Sequence, residues 1–424
     1  MKKKLNPLVI FLVVGIPLYF LANFIRNGIP GAIFNELQKD LNTTAKGVTA
    51  LGASFMYVYA LSQLITGVLC DRYGGYRTML YGCPLFLIGV LAFPFVDNIV
   101  VLCLLRAIAA FGASIIYLSL AKEMTSKAPE HFSLLLGLVC FIGFLGGVTA
   151  GQPFSSLASS IGWKNSILGV GVIACLLYLA IPLVKKTQGT LPEIRQIPFS
   201  VKVFARIFKT GGTWRIVASF SIAYGVAFAL CTVIAKKYLE DCCQYSVKAS
   251  GIVMSLMFLS MAISSIGMGF LSKLFNNRRL IFGKVCCIST AILLLMLTLF
   301  TILGIKGFAP GLVFVLVPLI ASYGSVAMAQ GIELNRPEDG GMVVSIINFL
   351  VYVVVALAGN ISGLLLDFFG FTLNSNGDKI YHSGAYAGLF GLLGLFAVYA
   401  TYNAWQLPET WGKNINSRFV NNDN

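Results

Sequence analysis

The sequence predicts an all-α membrane protein of 12 transmembrane helices, built as two six-helix bundles with pseudo-two-fold symmetry. Three observations carry that prediction. Of 424 residues, 57% are apolar and only 11% are charged, whereas the surface of a soluble domain needs roughly a quarter charged residues. Apolar runs of about 20 residues, each long enough to cross a ~30 Å hydrocarbon core, recur along the whole chain. Finally, a short charged turn, Gly67-Val-Leu-Cys-Asp71-Arg72-Tyr-Gly74-Gly-Tyr-Arg77, is echoed by Gly269-Phe-Leu-Ser-Lys273-Leu-Phe-Asn-Asn-Arg278-Arg279, 269 − 67 = 202 residues later. A charged turn at the same place in two hydrophobic halves marks an internal repeat.

In order, residues 8–34 follow Lys2-Lys3-Lys4 without a small-residue cleavage site, so they read as a retained first helix and not a signal peptide. The run 47–69 ends at the charged turn and 78–96 begins beyond it; 99–121, 132–158 and 165–184 complete the first half. Residues 185–213 form the one long polar stretch and divide the chain into 1–184 and 214–424. Within it, Ser200-Val-Lys-Val-Phe-Ala-Arg-Ile-Phe-Lys suits a short helix on an anionic leaflet as well as it suits an ordinary linker. The second half holds runs 214–236, 247–272, 280–304, 308–331, 340–368 and 384–406. Small residues let helices approach closely in lipid: Gly137, Gly143, Gly146, Gly147 and Gly151 line the fifth span, and Gly359 with Gly363 form a small-x-x-x-small pair on the eleventh.

A net charge of +15 would also suit nucleic acid, but the basic residues flank the spans in alternate loops: Lys2 to Lys4, Arg72, Arg77, Lys122, Lys127, the 185–215 segment, Lys273, Arg278 and Arg279. That is the positive-inside pattern; it puts both termini in the cytoplasm and leaves no role for nucleic acid. Lys236 and Lys237 are placed in an opposite-side loop. The ten cysteines are scattered, mostly within spans, and both histidines, His131 and His382, fall in loops. No metal spacing, nucleophile–base pair or phosphate loop appears, so the sequence predicts neither an enzyme nor a cofactor.

The first charged turn resembles the loop-2–3 signature of the major facilitator superfamily, Gly-x-x-x-Asp-Arg-x-Gly-x-x-Arg. Further resemblances lie in Arg106-Ala-Ile-Ala-Ala-Phe-Gly112 on the fourth span, Gly162-Trp163-Lys164 between spans five and six, and Pro408-Glu409-Thr410-Trp-Gly412 after the last. Gln152 separates Gly151 from Pro153, which departs from the drug-antiporter signature. Tyr19-Phe-Leu-Ala-Asn-Phe-Ile-Arg26 and Tyr57-Val-Tyr-Ala-Leu-Ser-Gln63 look most like prokaryotic importers of metabolites and organic anions. The resemblance implies a monomeric inner-membrane transporter working by alternating access. It also implies a gating set of Gly67, Asp71, Arg72, Gly74, Arg77, Gly147, Gly151 and Pro153. In it the Asp71 carboxylate meets the start of the eleventh helix near Asp339-Gly340-Gly341 when the protein faces outward, and Arg72 and Arg77 complete a charge cluster. Lys273 replaces the aspartate in the second copy, so the latch is one-sided.

Arg26 is the sharpest site candidate. An Arg inside a span costs several kcal/mol unless it faces a cavity or a partner, and its planar fork suits carboxylate or phosphate. Tyr19 and Asn23 share its helical face and Asn27 flanks it. The competing reading is an Arg that snorkels or bonds helix-end carbonyls. Arg106 is a second intramembrane cation. Gln63, Tyr224, Asn348 and Tyr352, with Gln330 and Asn360 in support, are the polar residues placed to line a cavity, and Phe228 is the 202-residue counterpart of Arg26. All 16 acidic residues fall in loops or near span ends. Two cations without a buried carboxylate imply that the negative charge arrives with the substrate, a small organic anion, with a coupling proton or counter-anion as a further partner beside the lipid bilayer. The alternatives are a carrier of a neutral or zwitterionic solute, such as an amino acid or siderophore, and a non-transporting sensor of the same fold.

Overall fold

The computed structural model describes residues 7–128, 132–182, 207, 211–336, 339–374 and 377–415. The long spans are α1 (Pro7–Gly28), α3 (Ala45–Tyr73), α4 (Gly75–Ala92), α5 (Ile99–Lys127), α9 (Gly212–Asp241), α10 (Val247–Leu274), α11 (Leu280–Ile302), α14 (Gly340–Phe369) and α15 (Ser383–Trp405). Helices α12 (Phe308–Ala321) and α13 (Gly324–Glu333) form one more, Phe308–Glu333, interrupted at Ser322-Tyr323. Among the described residues ten helices are thus long and apolar enough to cross a membrane, and α6 (Phe132–Thr149) with α7 (Gln152–Ile161), bent by 43°, makes an eleventh span. The shorter apolar helix α8 (Trp163–Leu179) follows. The expected linker, 185–213, lies almost wholly outside the described residues.

Local chemistry sets the breaks. The first run ends at Gly28, six residues earlier than expected from the run 8–34, because Pro30 has no N–H to continue the ladder. Residues Phe34–Asp40 then form the short helix α2. The Thr44 hydroxyl caps α3 by accepting from the Gly47 amide. At the charged turn Gly74 takes φ +78°, a conformation glycine adopts without strain, which separates α3 from α4. Pro153 sits in the first turn of α7, where its missing N–H costs nothing. Helix α9 carries two five-residue π turns, Val217–Ser221 and Leu230–Ile234, and is the most enclosed of the spans.

Two parts of the fold differ from expectation. The chain is not wholly helical: β1 (Phe371–Leu373) and β2 (Lys379–Tyr381) pair antiparallel between the last two spans, Phe371 opposite Tyr381. Lys236 and Lys237 lie inside α9, not in a loop, and are 3% and 1% exposed. Each is neutralised one turn on, Lys236 by Glu240 at 3.0 Å and Lys237 by Asp241 at 2.7 Å.

The helices before residue 183 meet those after residue 210 mainly through α3 against α14 and α6 against α10. Among the described residues their mutual hydrogen bonds run from the middle of the bundle to the face opposite the termini. On that face Gln38 Nε2 donates to the Tyr381 hydroxyl (2.7 Å), Asn35 Nδ2 to Glu240 (3.0 Å) and Lys379 Nζ to the Thr43 carbonyl (2.8 Å). The glycines show the same asymmetry. A Cβ on Gly31 would lie 2.4 Å from the Thr232 carbonyl oxygen, and one on Gly363 would lie 2.9 Å from the Lys46 Cα. On the terminus face a Cβ on Gly67, Gly267 or Gly341 would meet nothing within 4 Å. The described contacts between the halves thus gather from the middle of the bundle to the face opposite the termini.

Glu36, on α2, faces that closed seam with one carboxylate oxygen buried and unpartnered. Burial pushes its carboxyl up, Glu240 and Asp378 add to the rise, and Lys236 and a backbone hydrogen bond oppose it. If opening restores ordinary hydration, closure takes up a proton between the ordinary and the raised values, so it is favoured most below the ordinary carboxylate value and weakens as pH rises from there through the raised one. Distances across this face should therefore lengthen with pH in the wild type and vary less in Glu36→Gln; equal profiles would refute the linkage.

Candidate functional site

Arg26 lies at the last full turn of α1 and is 7% exposed. The i−3 spacing brings Asn23 under it, and Asn23 Oδ1 accepts from Nη2. Asn27 Oδ1 accepts from Nε (3.2 Å), and the Tyr352 hydroxyl, from α14 in the other half, accepts from Nη1 (3.3 Å). The guanidinium carbon stands 5.3 Å from the Tyr59 ring centre, 5.4 Å from Phe228 and 5.7 Å from Tyr352. A narrow crevice lined by Tyr19, Ala22, Asn23, Arg26, Tyr59 and Ala113 abuts it. Five N–H donors less three bonds leaves two unassigned among the described residues. The described partners of this cation are all neutral.

The structure brings together Tyr19, Asn23, Arg26, Asn27 and Tyr352 from the expected set. Tyr224 joins at one remove, its ring stacked on Phe228 at 5.9 Å. Gln63 is buried one turn beyond Tyr59, and Asn348 is half-buried one turn before Tyr352 with no hydrogen bond among the described residues. Gln330 is not a cavity residue: its amide donates to the Pro408 carbonyl at the end of the last span. Asn360 instead crosses between halves, donating to the Tyr57 hydroxyl at 3.2 Å. Sequence reasoning missed Tyr59, whose signal was its place one turn from Gln63 and Phe55.

Arg106, expected as a second anion ligand, is a structural tie. Its Nε, Nη1 and Nη2 donate to the carbonyls of Leu51 (3.2 Å), Ile25 (3.1 Å) and Ile29 (2.9 Å), and its plane covers Phe55 at 4.4 Å. The carbonyls that end α1 before Pro30 have no helical donor left, and Arg106 supplies them. Arg106→Ala would leave the two buried carbonyls of Ile25 and Ile29 short, at about 1–3 kcal/mol each. We expect its melting temperature to fall well below wild type with or without ligand; an unchanged melt would contradict this role.

The family model of the Major Facilitator Superfamily matches residues 16–359. The chain belongs to the Major Facilitator Superfamily. It is a transporter, not an enzyme, and an integral membrane protein. It is 20% identical over 309 residues to a probable sulfoacetate transporter, SauU, of Cupriavidus necator (strain ATCC 17699 / DSM 428 / KCTC 22496 / NCIMB 10442 / H16 / Stanier 337), covering 69% of this chain and 72% of the relative. Among solved structures, a bacterial homologue of the human lysosomal transporter Spinster, inward-facing and unoccupied, gives a TM-score of 0.74 at 15% identity, with 99% of each chain covered. The nucleoside transporter NupG gives 0.68 at 15% identity, covering 95% of this chain and all of that one. These likenesses concern the fold.

The charged turn that resembles the superfamily's signature joins α3 to α4, but the charge cluster expected around it is not assembled among the described residues. Asp71 pairs with Lys122 on α5, both side chains a third or more exposed, and not with the start of α14. Arg72 lies over its neighbour Tyr73, and Arg77 faces an apolar groove with Tyr73 and Tyr81. The matching contact occurs on the other face: the Asp367 carboxylate, near the end of α14, accepts from the Ala45 (2.9 Å) and Lys46 (2.8 Å) amides that start α3. Gly147 and Gly151 lie where α6 and α7 meet α10, close to Phe258 and Ser255, and Ser255 bonds the Gln152 amide and the Val148 carbonyl beside Pro153. Gly137, by contrast, packs against nothing.

Proposed function

We propose that this protein carries a small organic anion or related metabolite across a bacterial inner membrane by alternating access. In this reading α8 completes twelve spans, and residues 1–184 and 214–424 are two related six-helix bundles joined by a cytoplasmic 185–213, with both termini cytoplasmic. The observation that carries the proposal is Arg26: a buried cation where the two halves meet, bonded to neutral groups and with two donors unassigned among the described residues. An isolated charge in hydrocarbon is retained for function, and a fork of N–H groups fits a carboxylate or sulfonate. The anion displaces the Tyr352 hydroxyl, exchanging a bond between the halves for bonds to the substrate. A relative named as a sulfoacetate transporter is in keeping with an anionic substrate.

The glycines and hydrogen bonds support an inward-open conformation, with the terminus face as the cytoplasmic one. Alternation would then exchange the Asp367 contact for the Asp71 contact. The protein works as a monomer, with a proton or counter-anion as the coupled species. Thermal unfolding of the purified protein against panels of organic anions, amino acids and siderophores tests the reading. A ligand at 100 times its dissociation constant stabilises by about 2.7 kcal/mol. Stabilisation by an anion in wild type and not in Arg26→Ala is the expected result. Stabilisation only by a neutral solute, equal in both proteins, would overturn it.

A further inference from the structure

The same site restricts the substrate more narrowly than "organic anion", on whose correctness this step rests. The first restriction is charge. Of the buried cations among the described residues, Arg106 is saturated by three carbonyls, and Lys236 and Lys237 are neutralised by Glu240 and Asp241. Among these Arg26 alone offers an uncompensated positive charge to a ligand. A second negative charge on the ligand would be buried without a partner, which a low-dielectric site penalises heavily.

The second restriction is shape. Arg26 is walled by the faces and edges of Tyr59, Phe228 and Tyr352, drawn from both halves. The rings continue outward: Tyr59 meets Tyr352 edge-on at 4.9 Å, Tyr19 stacks on Tyr117 at 5.3 Å, and Tyr224 stacks on Phe228. The polar side chains nearest the cation, Asn23, Asn27 and Tyr352, are already engaged by it. Ring faces and edges reward a flat, unsaturated body.

We infer that the preferred substrates are singly charged anions with a flat unsaturated body, arenecarboxylates or the matching sulfonates. The charged group takes the two free donors of Arg26, and the ring replaces the Tyr352 edge against Tyr59 and Phe228.

The test is ligand-induced stabilisation of the full-length protein, read as apparent affinity, with benzoate, benzenesulfonate, cyclohexanecarboxylate, acetate, isophthalate and benzamide. We expect benzoate or benzenesulfonate to bind about tenfold or more tighter than each of the other four, the difference one good aromatic or charge term makes. Tyr59→Leu and Phe228→Leu, each first shown to melt normally without ligand, should bring the benzoate-to-cyclohexanecarboxylate ratio toward one. Cyclohexanecarboxylate or acetate equal to benzoate in wild type, or isophthalate tighter, overturns this inference and leaves the anion reading standing. Failure of every flat anion to bind also overturns it. Benzamide equal to benzoate, in wild type and Arg26→Ala alike, overturns the anion reading itself.

Discussion

Replacing Arg26 by alanine should weaken binding of the anionic substrate by about 100-fold or more while leaving the unliganded protein at least as stable as wild type. The binding loss follows from the two donors still free on the guanidinium. Hydrogen bonds to charged groups contribute roughly 1.5–3 kcal/mol each, and every 1.4 kcal/mol is about a factor of ten. The stability expectation has the opposite origin. Arg26 is buried against neutral partners, so the fold bears the desolvation of its charge without a counter-ion. Removing that charge relieves a cost, although Asn23, Asn27 and the Tyr352 hydroxyl then lose a donor. Arg26→Lys should fall between, because an ammonium restores the charge and not the fork. Calorimetric binding beside thermal melts of the apo protein separates the effects. A variant that binds as wild type does, or that melts far below it, would show Arg26 to be a structural residue like Arg106.

That contrast between two arginines marks how far the sequence could be read. Both are single cations in apolar runs, and composition treats them alike. What distinguishes them is remote: Arg106 reaches carbonyls 55 to 81 residues away, two of them, Ile25 and Ile29, at the end of α1 before Pro30, and no local pattern reports a carbonyl's vacancy. Arg26 was legible because Asn23 and Tyr19 repeat at helical spacing on its own helix, and Phe228 was legible because the halves repeat at 202 residues. The helical character of the spans was plain from hydropathy. Their interruptions were plain only where proline marks them, at Pro30 and Pro153. The π turns of α9 leave no such mark. The strands at 371–373 and 379–381 are too short to show a period of two. Lys236 and Lys237 read as loop residues because their neutralising partners, Glu240 and Asp241, lie one turn further on and become significant only once the helix continues through them.

Asp71 presents a different limit, since a sequence holds the contacts of every conformation and a structure displays one. Helices α3 and α14 pack side by side. Each ends in an aspartate that suits the other's first turn: Asp367 near the end of α14 is bonded to the start of α3, and Asp71 near the end of α3 has no such bond in this conformation. We therefore expect Asp367→Asn and Asp71→Asn to move the conformational balance in opposite directions. A carboxylate at a helix start contributes about 0.3–2 kcal/mol, most when partly buried. Loss of Asp367, with its two amide contacts, should thus raise the population open on the face opposite the termini by about 2- to 30-fold. Asp71→Asn should deplete that same population. It should cost this conformation little, because the exposed pair with Lys122 contributes no more than about 1 kcal/mol. Lys273→Ala is the control: its side chain is exposed and a cation has no attraction for a helix start, so the balance should stay where it is. Spin-label distances across each face, measured in wild type, both asparagine variants and the double variant, decide the matter. The double variant should return toward the wild-type distribution, since it removes one contact from each state. A shift in the same direction for both single variants, or none for Asp367→Asn, would show that the aspartates do not act as opposed latches on the two faces of one helix pair.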